Sequence, residues 1–349
     1  MMLSVCSHAQ DSLPTSSSTF TLSGYAEAYY SYDLNRPPDN LRPGFLYNYN
    51  RHNEFTLNLG YLKGIYTGES VRANLALAAG TYMNANYAAE PATLKNVLEA
   101  NAGYKLSRKK NLWLDIGILP SHIGFETAIG KDNWTLTRSL VAENSPYFES
   151  GARLGYTTGN GKLQLSVLAL NGWQRITRAE GNSLMSWGAQ VYYKLSNNII
   201  LNYSNFFGTD KPDSARLWRY YHDVYGIFQL SPVVGLTAGF DVGMEQQNVN
   251  SHQYNYWYTP VGILRITPAD KWAFALRGEY FNDQHGVIIA SAGGFKTFGA
   301  SFNIDYYPVK NALLRLEYRY LNSANPVFIK DGLPRDNNTA ISFSTSIAF

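Results

Sequence analysis

From residue 341 to residue 349, large and small side chains take strict turns. Ile341, Phe343, Thr345, Ile347 and Phe349 alternate with Ser342, Ser344, Ser346 and Ala348. A period of two puts these sets on opposite faces of a β-strand, one apolar and one wet. The same alternation recurs along the chain. Leu22, Gly24, Ala26, Ala28 and Tyr30 oppose Tyr25, Glu27, Tyr29 and Ser31. Phe55, Leu57, Leu59 and Tyr61 oppose Glu54, Thr56 and Asn58, and Val71, Ala73, Leu75 and Leu77 oppose Arg72 and Asn74. Leu98, Ala100, Ala102 and Tyr104 oppose Glu99, Asn101 and Lys105; Leu112, Leu114, Ile116 and Ile118 oppose Asp115.

Further strands are predicted near 147–158, 162–172, 183–195, 198–207, 216–230, 233–245, 252–266, 271–282, 294–307, 310–322 and 338–349. The tally is about sixteen, and an even count suits a closed membrane barrel. Between them, tight turns such as Ser231-Pro232 and Pro268-Ala269-Asp270 alternate with long connections near 34–51, 83–96, 121–146, 173–182, 208–215, 246–251, 283–293 and 323–337. That asymmetry belongs to barrels with short periplasmic turns and long external loops. A twelve-residue strand tilted near 40° rises roughly 30 Å, enough to cross the apolar layer. Charged residues are 16% of the chain, Tyr numbers 27, and mean hydropathy is −0.26. Soluble proteins carry about 25% charge, and no apolar run here reaches the ~18 residues of a spanning helix. The expected fold class is therefore all-β, a transmembrane antiparallel up-and-down barrel in which lipid-facing and water-facing side chains alternate.

The start of the chain reads as a signal-peptide remnant over 1–9, with Ser7-His8-Ala9 as a cleavage site. Leu3-Ser4-Val5-Cys6 is a poor fit to a lipidation box. A polar linker covers 10–19 and a single barrel 20–349, with no plug domain. One Cys gives no disulfide framework. A net charge of +3 does not argue for nucleic acid. Asp11-Ser12-Leu13 and Asp213-Ser214-Ala215 fit a short O-glycosylation pattern. An abrupt end on an aromatic strand is similar to the closing strand of bacterial outer-membrane barrels. In that group it pairs with the first strand and addresses the barrel-assembly machinery, here through Phe349.

Residues 115–156 carry a more specific likeness: I-G-F-E at 123–126, N-W-T-L-T-R-S at 133–139, N-S-P-Y at 144–147 and G-A-R at 151–153. These resemble the putative β-barrel porin-2 family of Bacteroidota outer membranes. The resemblance implies a porin-like channel among outer-membrane lipid and lipopolysaccharide, and implies no solute.

Charges on the wet faces are the candidate pore lining. They are Glu27, Arg72, Glu99, Lys105, Asp115 and Arg153 in the first half. Arg219, Asp241, Arg265, Arg277, Glu279, Asp305, Arg315, Glu317 and Arg319 follow, with Lys194, Asp223 and Glu245 on the same faces. On lipid each would cost about 2–4 kcal/mol at the midplane, so they turn inward. There they either set a field across a water-filled pore for small polar solutes or form ion pairs that fill the lumen. Within the long connection, Glu126, Trp134, Arg138 and Glu143 are candidates to narrow the channel, or Trp134 and Leu136 brace the connection against the wall. Six His residues show no metal-ligand spacing. His222, strand-centred with Tyr220, Val224 and Phe228, has no evident Ser partner for catalysis. No cofactor is expected. The reading is a passive channel rather than an enzyme, with a non-conducting scaffold barrel as the rival.

Overall fold

The computed structural model describes residues 18–291 and 293–349. The signal-like segment with Cys6, and Ser12, lie outside these residues. Sixteen strands form one antiparallel sheet closed on itself. The first eight are β1 (Thr19–Asp33), β2 (Phe55–Thr67), β3 (Val71–Ala79), β4 (Val97–Lys105), β5 (Asn111–Pro120), β6 (Phe148–Thr157), β7 (Leu163–Leu170) and β8 (Ser186–Ser196). Then come β9 (Ile199–Gly208), β10 (Arg219–Gln229), β11 (Val234–Gln246), β12 (Tyr254–Ala269), β13 (Trp272–Asp283), β14 (Phe295–Tyr306) and β15 (Ala312–Ser323). A separate hairpin of β16 (Phe328–Lys330) and β17 (Leu333–Arg335) precedes the last wall strand, β18 (Asn337–Ala348).

The seam is β1 against β18, paired from Tyr25↔Ala348 to Asp33↔Ala340. Gly24 and Phe349 extend it by exchanging backbone bonds of 2.7 and 3.0 Å. Hydrocarbon offers no partner to a bare strand edge, so a wall of this kind must close. Serines of the alternating terminal stretch face inward, where Ser342 Oγ lies 2.8 Å from Ser31 Oγ. Ile341, Phe343 and Ile347 are exposed on the outer wall with Leu22, Leu75, Ile116, Val167, Leu276 and Phe298. Tyr104, Tyr193, Tyr256 and Tyr258 also face outward, as expected for interfacial girdles. At one end of the barrel the connections run two to five residues; at the other they run seven to 27.

Two expectations fail locally. Phe55 and Leu57 are on the outer wall, but Leu59 is buried and the Tyr61 ring packs 5.7 Å from that of Tyr25. Glu27 pairs with Leu59 and Ala28 with Leu57, which leaves Asn58 as an extra residue. A one-residue β-bulge sends every later side chain to the opposite face. Leu62 therefore faces out, 56% exposed, and Lys63 turns in to pair with Glu99. Gly80, at φ 133°, passes so close to the bulge that a Cβ would sit 2.3 Å from the Asn58 carbonyl oxygen. It leads into the short helix α1 (Thr81–Asn86). Ile118, expected beside Ile116 on the lipid face, is buried with Tyr82, Tyr87 and Phe148. The preceding Gly117 has φ 134°, which breaks the strand's alternation.

The bulge makes a direct prediction. In a Cys6→Ser background, Lys63→Cys should react with a charged, water-soluble thiol reagent in membranes, and Leu62→Cys should not. The reverse pattern would restore uninterrupted alternation in β2.

Candidate functional site

The inward face of β13 to β15 carries its charges at every second residue, as strand geometry dictates. Register then sets Asp305 beside Arg315, and the pair bonds through both Arg315 Nε and Nη2 at 2.8 Å. Arg319 reaches Glu279 at 2.8 Å, while Arg277 lies 3.3 Å from Glu317 and 3.4 Å from Glu279. These side chains are at most 2% exposed. Charges so deeply desolvated persist only beside close partners.

The connection 121–147 supplies further partners, because it folds down into the barrel. Arg315 donates to the carbonyls of Gly130 (2.9 Å), Thr135 (3.1 Å) and Asn133 (2.9 Å). Arg277 donates to the Thr137 carbonyl at 2.6 Å and the Thr135 hydroxyl at 3.0 Å. In return Glu317 accepts from Thr137 N at 2.9 Å, Asn303 Oδ1 accepts from Leu136 N at 2.8 Å, and Glu279 accepts from Leu140 N. A non-regular backbone cannot satisfy its own polar groups, and here the charged wall does it.

The motif residues shape the segment itself. Asn133 Oδ1 accepts from Thr127 N at 2.7 Å, and its Nδ2 donates to the carbonyls of Ile129 and Thr127 at 2.8 and 3.0 Å. Arg138, wholly buried, donates to the carbonyls of Thr127 (2.7 Å), Leu136 (2.5 Å) and Ala128 (3.2 Å). Ser139 caps the short helix α2 (Leu140–Glu143) by accepting from Ala142 N at 3.3 Å, and Glu126 binds Ser139 N at 3.0 Å. The ring of Trp134 reaches the floor of β11 at Gly235 and stands 5.9 Å below the Arg265 guanidinium. Leu136 is fully buried. The segment is thus both folded inward and braced. Glu126 and Arg138 organise it and face no open lumen, a correction to their expected place at a constriction.

Glu143 ties this segment to another. Its Oε2 accepts from Tyr47 N (2.8 Å), Asn48 N (3.1 Å) and Asn48 Nδ2 (3.2 Å) in connection 34–54. Burial pushes the Glu143 carboxyl up to about 7, against the opposing pull of Arg319 and these donors.

Elsewhere the wall charges form separate groups. Glu27 takes the Tyr49 hydroxyl at 2.9 Å. Arg219 pairs with Glu245 at 2.6 Å between Trp173 and Trp257. Asp241 accepts from the Tyr221 hydroxyl and pairs in register with Asp223, which accepts from Gly124 N at 3.0 Å. Arg265 donates to the Tyr307 hydroxyl at 3.0 Å. Asp115 holds Arg72 at 2.7 Å and Arg153 at 3.2 Å. The expectation that these charges line a pore is corrected for six of them: Arg277, Glu279, Asp305, Arg315, Glu317 and Arg319 are sealed beneath the inserted segment. Lys63 and the buried His122–Glu149 pair, 2.8 Å apart, are partners the alternation did not single out. His122 also bonds the Asn205 carbonyl at 2.8 Å. His222 is exposed on the outer wall, 2.8 Å from the Tyr203 hydroxyl. No metal-holding cluster exists among the described residues.

The profile of the family described as putative beta-barrel porin-2, OmpL-like, matches residues 19–349. The chain belongs to this family. No curated protein matches its sequence. Among solved structures, an anion-selective porin from Comamonas acidovorans superposes with TM-score 0.63 at 9% identity, over 95% of this chain and 100% of that one. OmpT of Vibrio cholerae gives 0.61 at 11% identity, over 97% and 100%. At such identities the likeness is one of fold. This porin-2 member is an outer-membrane β-barrel of porin type.

Two outcomes follow from the site. Arg315→Leu leaves Asp305 buried and uncompensated, so urea unfolding should show a loss of about 3–5 kcal/mol. Adding Asp305→Leu should recover part of it; no loss in the single variant would contradict the pairing. A carboxyl whose folded value is raised stabilises docking fully below its ordinary value of 4.5, and that contribution is lost as pH rises through about 7. Hydrogen exchange at Tyr47 and Asn48 should be slower at pH 5 than at pH 8 after correction for intrinsic rates, and Glu143→Gln should flatten the difference.

Proposed function

We propose that the protein is a channel for passive diffusion of small hydrophilic solutes. Its short turns and both termini lie toward the periplasm and its long connections lie outside. The observation that supports this best is the uneven filling of the lumen. Hydrogen bonds of segment 121–147 run to β1, β6, β8, β9, β10, β13, β14 and β15. Among the described residues none runs to β2, β3, β4 or β7. On the arc from β2 to β7, where the segment's only bonds among the described residues are to Glu149 at the start of β6, Lys63, Arg72, Lys105, Arg153 and Gln164 keep contact with water. A sixteen-stranded cylinder is wider than its own wall side chains can fill. An inserted segment that leaves one arc wet gives a passage along that arc.

Lipid and lipopolysaccharide would surround the apolar wall, and the strand ending in Phe349 would address the assembly machinery. Ser214, exposed in connection 209–218, would be open to glycosylation from outside.

One observation favours a second reading, a barrel that conducts nothing. Leu46, Trp173, Ile289 and Phe328 come from four different long connections and pack in one apolar cluster at that end. Purified protein in planar bilayers separates the two. The channel reading expects steady unitary current; a folded barrel that never conducts would sink it in favour of the scaffold.

A further inference from the structure

We infer that the passage selects for anions, an inference that rests on the channel reading above. The wall charges are nearly balanced in number, but water does not meet them equally. Arg72, Arg153 and Lys63 keep 35%, 31% and 25% of their side-chain surface. Lys105 is half-buried on the same inner face, and Lys194 is exposed on β8 beside it. The acids beside them are Glu99, 10% exposed and held by Lys63, and Asp115, 2% exposed. The other inward acids are withdrawn: Glu27, Asp223, Asp241, Glu279, Asp305 and Glu317 are 0–3% exposed. Glu245 is paired with Arg219. Five cations therefore face the lumen water on this side against two largely covered carboxylates.

The geometry sharpens the imbalance. Asp115 accepts from Nε and Nη2 of Arg72, both at 2.7 Å, and from Arg153 at 3.2 Å. One carboxylate between two guanidiniums leaves one positive charge uncancelled. Arg72 also lies 4.3 Å over the Trp113 ring, which holds the cation in place without neutralising it. Beyond Lys105, the exposed turn residues Arg108, Lys109 and Lys110 carry the strip to the short-turn mouth, against Glu69 on the neighbouring turn. On the inserted segment Lys131 and Asp132 pair at 2.6 Å and contribute no net sign. A one-signed strip in a narrow, low-dielectric passage raises the local concentration of the opposite ion.

The test is the reversal potential of the full chain in a planar bilayer under a KCl gradient. A local potential of roughly one kT predicts chloride over potassium by about five- to tenfold, more at low salt. Lys105→Gln with Arg153→Gln leaves Asp115 paired to Arg72 and should bring the ratio toward one. Arg36→Gln, which removes an exposed ion pair with Asp331 in the long connections, should leave it unchanged. Heat-modifiable gel mobility verifies that each barrel is closed. A wild-type ratio of one, or a potassium preference, overturns the anion inference and leaves the channel intact. Absence of current overturns the channel reading and this inference with it. An unchanged ratio in the folded double variant overturns the assignment to these residues.

Discussion

Backbone amides inside a bilayer have no water to bond, and the rest of this molecule follows from that shortage. Sixteen strands answer it by pairing round a full circle, with β1 and β18 as the seam. Closure removes the edges but encloses more volume than serine and alanine can fill. The chain resolves this second problem with its own segment 121–147.

Lowering an irregular segment into a cylinder would bury many bare carbonyls and amides. Each would cost about 1–3 kcal/mol if left unpaired. The wall charges of β13 to β15 meet that demand. Arg315 and Arg277 cover carbonyls; Glu317 and Glu279 cover amides. Ion pairs among these four and their neighbours keep them charged in a dry place. Replacing them with apolar residues would leave the segment without partners, so the polar network specifies where the segment docks. Lys63, Arg72, Lys105 and Arg153 keep contact with water on the arc from β2 to β7.

The strand pattern was legible because burial on one face only imposes a period of two. Arg315, Glu317 and Arg319 could be placed inside from spacing alone. The reversal at Asn58 could not, because Asn58-Leu59 reads locally as one more polar–apolar step. Only the pairing with Glu27 and Ala28 exposes the extra residue. The role of the 133–139 motif was hidden for another reason. Asn133 and Arg138 act on carbonyls, which carry no sequence signature. The partners of Thr137 lie 140 residues away in β13 and 180 residues away in β15. A charge at a wet position can also face either water or another segment, and alternation does not distinguish the two. That is why Arg72 and Arg315 read alike yet end in different surroundings.

The central claim is that segment 121–147 sits inside the cylinder against β14. Leu136 N bonds Asn303 Oδ1 at 2.8 Å, so Leu136→Cys with Asn303→Cys, in a Cys6→Ser background, tests it directly by oxidative cross-linking in membranes. The account predicts an intramolecular disulfide, read as altered mobility of the unfolded chain on a non-reducing gel. Failure to cross-link, with Cys at 136 open to a bulky reagent added outside, would contradict it.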